Sequence, residues 1–155
     1  MTETPQLDEI AIRTAPEVFH ARQWGMSWNQ EIINELKEVA IASPRRRSRL
    51  CLHPSPDEHH QEMLIVLQKG AIEMPQRRKN GFDSKIALEG RASMSFFDER
   101  GELLSRCVID ARTNPYLHTR SLKFHCLEIV SEWFVFLEIC KGPFLPGTTQ
   151  FWRPE

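Results

Sequence analysis

The run Gly70-Ala71-Ile72-Glu73-Met74-Pro75-Gln76-Arg77-Arg78-Lys79-Asn80-Gly81-Phe82-Asp83-Ser84-Lys85-Ile86-Ala87-Leu88-Glu89-Gly90 decides how this chain is read. Its informative property is spacing: Gly70, five residues, Gln76, one residue, Arg78, four residues, Asp83, six residues, Gly90. Glycines open and close the frame, and an amide, a cation and an acid stand inside it. Working outward, the flanks have β character. Glu62 to Leu67 is an apolar run of strand length ended by Gly70. Arg91 to Phe97 alternates, with Ala92, Met94 and Phe96 on one face and Arg91, Ser93 and Ser95 on the other. Asp98-Glu99-Arg100-Gly101 predicts a hairpin turn, because glycine takes the positive φ that closes a short reversal. Leu103 to Ile109 returns as its partner strand. Leu122 to Val130 and Trp133 to Cys140 predict two further strands joined by a turn at Ser131-Glu132, and Gly142-Pro143 stops pairing. Several short strands with no second long helix predict an all-β sandwich or barrel.

The N-terminal part differs. A short strand is expected at Glu17 to Ala21, followed by Trp24, Gly25 and Met26. Ser27 and Gln30 have the form of a capping box, and Ile32, Ile33, Leu36, Val39 and Ala40 then make one apolar helical stripe. Pro44 ends it near Ser43. The basic run Arg45-Arg46-Arg47-Ser48-Arg49 reads as a solvated turn or as a contact for a phosphate or carboxylate.

At 155 residues the chain suits one domain, and its 41% hydrophobic and 26% charged residues are ordinary for a globular protein. A net charge of −1 gives no field that would favour nucleic acid or an anionic membrane. No apolar run approaches the ~20 residues of a membrane helix. The acidic opening residues lack the layout of a secretory signal, so a cytoplasmic protein is expected. Cys51, Cys107, Cys126 and Cys140 form no C-x-x-C pair and read as small buried hydrophobes.

The frame from Gly70 to Gly90 resembles the first motif of the cupin family: glycine, His-x-His, carboxylate, closing glycine. Further stretches resemble the WbuC-type cupin-fold family (RmlC-like superfamily), whose jelly-roll proteins occur among surface-polysaccharide and O-antigen genes. They are Ser43 through Pro54, Glu62-Met63-Leu64-Ile65, Phe96 through Gly101, Glu138 through Phe144, and Phe151 through Glu155. The resemblance implies a cupin jelly-roll β-barrel over residues 45–155, with residues 1–44 a strand-helix extension packed on it. It also implies a divalent metal held by histidines and a carboxylate.

This chain departs from that pattern at the ligand positions. The two histidines of the first motif fall on Gln76 and Arg78, the carboxylate falls on Asp83, and the histidine of the second motif falls on His125. Arg120-Ser121-Leu122 replaces the Pro-x-Gly turn that normally precedes it. Glutamine offers a poor neutral carbonyl, and arginine is a permanent cation that would repel a metal by about 4 kcal/mol per unit charge at ~4 Å and an effective dielectric of about 20. The expected arrangement puts the Arg78 guanidinium in the metal's place, with Asp83, His125 and Gln76 around it. Glu138 interrupts an apolar strand, so it needs a partner: an arginine of the 45–49 run, or the pocket itself. The expected pocket is therefore Gln76, Arg78, Asp83, His125 and Glu138, with no cofactor. If a metal binds, His125 and Asp83 hold it. His53, His59 and His60 read as surface residues, and His118, seven residues before His125, falls on the opposite strand face and would join a metal site only if the chain bends between them.

Two functions follow as expectations. One is a pocket protein of surface-polysaccharide metabolism that binds a small anionic or sugar-derived ligand. The alternative is a metal-dependent cupin enzyme, of isomerase, epimerase or dioxygenase type, acting on a sugar or small acid. A homodimer paired through a strand edge is expected, with no nucleic-acid or membrane partner.

Overall fold

The computed structural model describes residues 6–22, 25–78, 81–120 and 122–153. Trp24, Ser121 and the last two residues, all used in the sequence reading, lie outside them. The elements are α1 (Leu7–Ile10), β1 (Ala11–Ala15), β2 (Val18–Ala21), α2 (Gln30–Ala42), β3 (Arg47–Cys51), β4 (His60–Gln68), β5 (Gln76–Arg78), β6 (Phe82–Phe97), β7 (Leu103–Asp110), β8 (Tyr116–Arg120), β9 (Phe124–Lys141) and β10 (Thr149–Phe151).

Two long strands organise the molecule. β6 and β9 pair along their whole lengths, with register shifts between Ala87 and Glu89 and between Gly90 and Ala92. The halves on either side of the shifts belong to different sheets. One sheet runs β1-β2-β3-β4, then the C-terminal half of β9, the N-terminal half of β6, and β8. The other runs β7, the C-terminal half of β6, the N-terminal half of β9, β5 and β10. Neighbours are antiparallel except β2 and β3. The expected turn at Ser131-Glu132 is therefore a bulge inside one continuous strand, not a break between two. Gly90 is required there: its φ is +81°, and a Cβ would stand 1.9 Å from the Trp133 carbonyl oxygen.

The Asp98 turn forms as expected, with Gly101 at φ +81° and the Asp98 amide donating to the Glu102 carbonyl at 3.0 Å. The helix ends at Ser43 as expected, but its N-cap is Asn29, whose side chain accepts from the Ile32 amide at 3.0 Å, and not Ser27. The basic run is a strand rather than a turn from Arg47 onward.

Alternation along the strands of the first sheet sends residues to two different cores. Ile32, Ile33, Leu36 and Ala40 of α2 pack on Phe19, Leu50, Leu64, Val66 and Val135, on the outer face. Each large aliphatic side chain buried there contributes about 1.5–3 kcal/mol. The inner face, together with the second sheet, encloses Leu67, Ala87, Ala92, Met94, Ile109, Leu127, Ile129 and the stacked pair Phe134 and Phe136. Beyond this apolar half the inner face turns polar.

Candidate functional site

The polar half of the interior is built around an ammonium group. Asp83 and Lys85 lie two residues apart on β6, so both face inward. Register places Lys85 opposite Glu138 and Asp83 opposite Cys140 on β9. Lys85 Nζ donates to Asp83 Oδ1 and stands 3.3 Å from Glu138 Oε2. Thr119 of β8, cross-strand from Asp83, donates its hydroxyl to the same Oδ1 at 3.0 Å. Asp83, Lys85 and Thr119 are all buried.

The remaining expected pocket residues come from β5 and the first part of β9. Gln76 pairs with His125 across the strands, and His125 is buried, its ring tilted against Phe96 at 6.1 Å between centroids. His125 Nδ1 is 2.9 Å from the Lys123 carbonyl, which leaves Nε2 as the free acceptor in the tautomer that donates there. Arg78 donates from Nη2 to the Lys141 carbonyl at 3.1 Å and lies beside the Cys140 thiol. Glu138 finds its counter-ion in Lys85, and not in the 45–49 run. That run has partners of its own: Arg45 and Arg47 both meet Glu17 at 3.0 Å, and Arg47 also reaches Glu73 at 3.4 Å. Charges thus alternate from Arg45 through Glu17, Arg47 and Glu73 to the Lys85 cluster.

The electrostatics follow from burial and pairing. Burial pushes the Asp83 carboxyl up, but the Lys85 ammonium, its hydrogen bond, His125 and Thr119 together outweigh it and hold the group below the usual carboxylate range. Burial alone would pull Lys85 down, and Glu138 and Asp83 more than reverse this, leaving it above the ordinary lysine range. Glu73 is held up by burial, against the opposing pull of Arg47.

Sequence reading did not single out Lys85 or Glu73. The available signal was Asp83-x-Lys85 on one strand face, which becomes meaningful only once Glu138 is known to sit opposite. His59 and His60 are exposed, as expected, and exposed His118 hydrogen-bonds Ser84 at 3.0 Å. His53 is different. It is buried, 8% exposed, and joins His20 and Cys51.

The donor set at Gln76, Arg78, Asp83 and His125 does not suit the metal that the cupin pattern implies. One imidazole remains, and the one carboxylate already carries an ammonium and a hydroxyl. A divalent ion would have to displace Lys85 from Asp83.

Residues 28–109, just over half of the chain and running from α2 through β7, match a family model described as "Domain of unknown function (DUF6016)". No curated protein matches the sequence. Among solved structures, the capsular polysaccharide assembling protein CapF from Staphylococcus aureus superposes with a TM-score of 0.60 at 13% identity. The match covers 70% of this chain and 30% of CapF. Procruciferin, an 11S globulin from Brassica napus, gives 0.53 at 14% identity, over 70% of this chain and 27% of that one. The chain thus spans under a third of the length of these neighbours. At such identities the likeness establishes the fold, a cupin jelly roll, as the sequence led one to expect. Among the described residues its strand ladder does not close.

Proposed function

The chain belongs to the family described as Domain of unknown function (DUF6016), and we propose that it is a pocket protein binding a small saccharide-derived ligand without a metal in the jelly-roll interior. One observation carries the reading. The Lys85 ammonium lies between Asp83 and Glu138, so the polar interior supplies its own cation. A pocket with fixed carboxylates, the Thr119 hydroxyl, the His125 imidazole and the Arg78 guanidinium offers both donors and acceptors, which suits a hydroxyl-rich ligand. Arg78 and His125 are the residues that would meet an acidic substituent. CapF's part in assembling capsular polysaccharide, and the residues resembling the WbuC-type family, support choosing saccharides among polar ligands. The proposal includes the cytoplasm as its compartment, where four thiols stay reduced, and a homodimer formed at a strand edge. Exposed Leu103, Leu104 and Val108 on the edge strand β7 support the latter, and a monomeric mass by light scattering would remove it.

The test is calorimetric titration with a neutral hexose, a hexuronic acid and a sugar phosphate. An acidic sugar is expected to bind, and Arg78→Ala and His125→Ala are each expected to weaken it at least tenfold, about 1.4 kcal/mol. Absence of saccharide binding, or a stoichiometric metal lost on His125→Ala, would replace this reading with the metal-dependent enzyme.

A further inference from the structure

We propose that His20, Cys51 and His53 form a binding site for one Zn²⁺ ion, on the same inner face as the Lys85 cluster and separated from it by β4 and β9. The three side chains offer ligand atoms that all lie within 4.8 Å of one another. The fold brings them together from two places in the sequence. β2 pairs in parallel with β3, and His20 is the direct cross-strand partner of Cys51. His53 follows Cys51 by two residues, on the same side, and its ring meets the His20 ring edge-on at 5.9 Å between centroids. Tetrahedral zinc with Zn–N of about 2.0 Å and Zn–S of about 2.3 Å separates its ligand atoms by about 3.3–3.7 Å, so a closure of roughly 1 Å completes the set.

Both imidazoles are held through the other ring nitrogen, as metal-ligating histidines are. His53 Nδ1 lies 3.0 Å from the Glu62 carbonyl and 3.2 Å from the Glu62 amide, so the ring is anchored there in either tautomer. The tautomer that donates there leaves its lone pair on Nε2. His20 Nδ1 is 2.9 Å from the Thr14 hydroxyl, whose own proton points to the Val18 carbonyl at 3.4 Å, so the ring donates from Nδ1 and again presents Nε2.

The charge balance also suits the ion. Burial, with His53 and Arg49 adding to it, holds the His20 imidazole below its usual range. Burial does the same at His53, with Arg49 assisting and Glu58 and Glu62 opposing. Burial pushes the Cys51 thiol up, partly countered by Arg49. Binding then replaces the S–H bond with a Zn–S bond and releases one proton to water. The net +1 of a zinc-thiolate centre is offset on its open side by Glu58 and Glu62, which line the surface depression next to His53. Met63, packed on Cys51, closes the inner side. Two imidazoles and one thiolate leave a fourth position for water, the arrangement of a zinc site that can take a ligand.

The test uses the full chain, with Zn²⁺ competed against a chromophoric chelator and Co²⁺ as a spectroscopic substitute. One equivalent of Zn²⁺ is expected, with release of one proton and a near-ultraviolet thiolate-to-cobalt band. Cys51→Ser and His20→Gln are each expected to weaken binding by about 100-fold, at the upper end of what even outer-shell changes produce, whereas His125→Ala leaves it unchanged. Binding indifferent to Cys51→Ser, or abolished by His125→Ala, would overturn the proposal, as would bound Co²⁺ without the thiolate band. If either variant fails to fold by circular dichroism, the cobalt spectrum of the wild type decides alone. The saccharide titration reads a different ligand, and His125→Ala is expected to weaken that one alone, so either proposal can fail without the other.

Discussion

Two polar clusters share the inner face of one sheet, and they differ in whether their charge is already matched. On β6 and β9, Asp83 and Glu138 come with the Lys85 ammonium between them. At β2, β3 and the residues just after β3, His20, Cys51 and His53 offer three ligand atoms with a cation, Arg49, only in the vicinity. A cluster that contains its own counter-ion holds the fold together and resists an incoming metal, because a resident bond must first be broken. A cluster of neutral donors has nothing to expel, so an ion that enters adds its binding free energy to the stability of the native state.

Lys85→Met breaks this contrast most severely. It leaves two carboxylates facing each other in a buried space, and removing one partner of a buried ion pair costs about 3–5 kcal/mol. Urea unfolding should show that loss. Replacing all three groups, as Lys85→Met/Asp83→Asn/Glu138→Gln, should recover most of it, because no uncompensated charge remains. A single-variant loss below about 1 kcal/mol, typical of exposed pairs, would mean the cluster is solvated and the comparison unsound.

The pH dependence gives a smaller effect of defined sign. The Asp83 carboxyl is depressed in the native state, so its stabilisation is fully present above the unfolded value of about 3.9 and is lost as pH falls through the folded one. Lys85 is raised, so its contribution is present below about 10.4 and is lost as pH rises through its folded value. Between these limits the cluster contributes a flat plateau. Asp83→Asn should flatten the acid limb of a stability-against-pH curve. An acid limb unchanged by that substitution would show that Asp83 titrates normally.

The sequence made one cluster partly legible and left the other unread, for a physical reason. Asp83, His125 and Glu138 stood out because a spaced frame and an acid inside an apolar strand are local anomalies. The partner of those acids was not local. Lys85 looks like one more charged residue until the pairing of β6 with β9 sets it opposite Glu138. The helix, the Asp98 hairpin and the core run Glu62 to Leu67 were readable because periodicity and turn chemistry act over a few residues. The continuity of β9 was not, since a bulge and a turn look alike in Val130 to Trp133; only Gly90, on the other strand, marks the bend. The strand at Arg47 to Cys51 was hidden by its arginines, whose partners Glu17 and Glu73 come from distant segments. His20, Cys51 and His53 carried no signal at all. Their proximity depends on a parallel pairing between segments about thirty residues apart.

The finest way to sharpen the contrast is Thr14→Val, which touches neither set of first contacts. Thr14 fixes the tautomer and tilt of His20 through Nδ1, and is itself exposed. Losing the hydroxyl should therefore leave the apoprotein nearly as stable, since exposed substitutions usually fall within about 0.5 kcal/mol. Zinc affinity should nevertheless drop by about tenfold, the lower bound for losing an outer partner of a ligating imidazole. Thr14→Ser, which keeps the acceptor oxygen, should restore it. In the Lys85 cluster the ammonium both orients and neutralises the two carboxylates, so its loss shows first in stability. A Thr14→Val variant that loses stability without losing zinc affinity would mean the hydroxyl serves the β1–β2 hairpin alone, and the neutral cluster would then be packing rather than a waiting set of ligands.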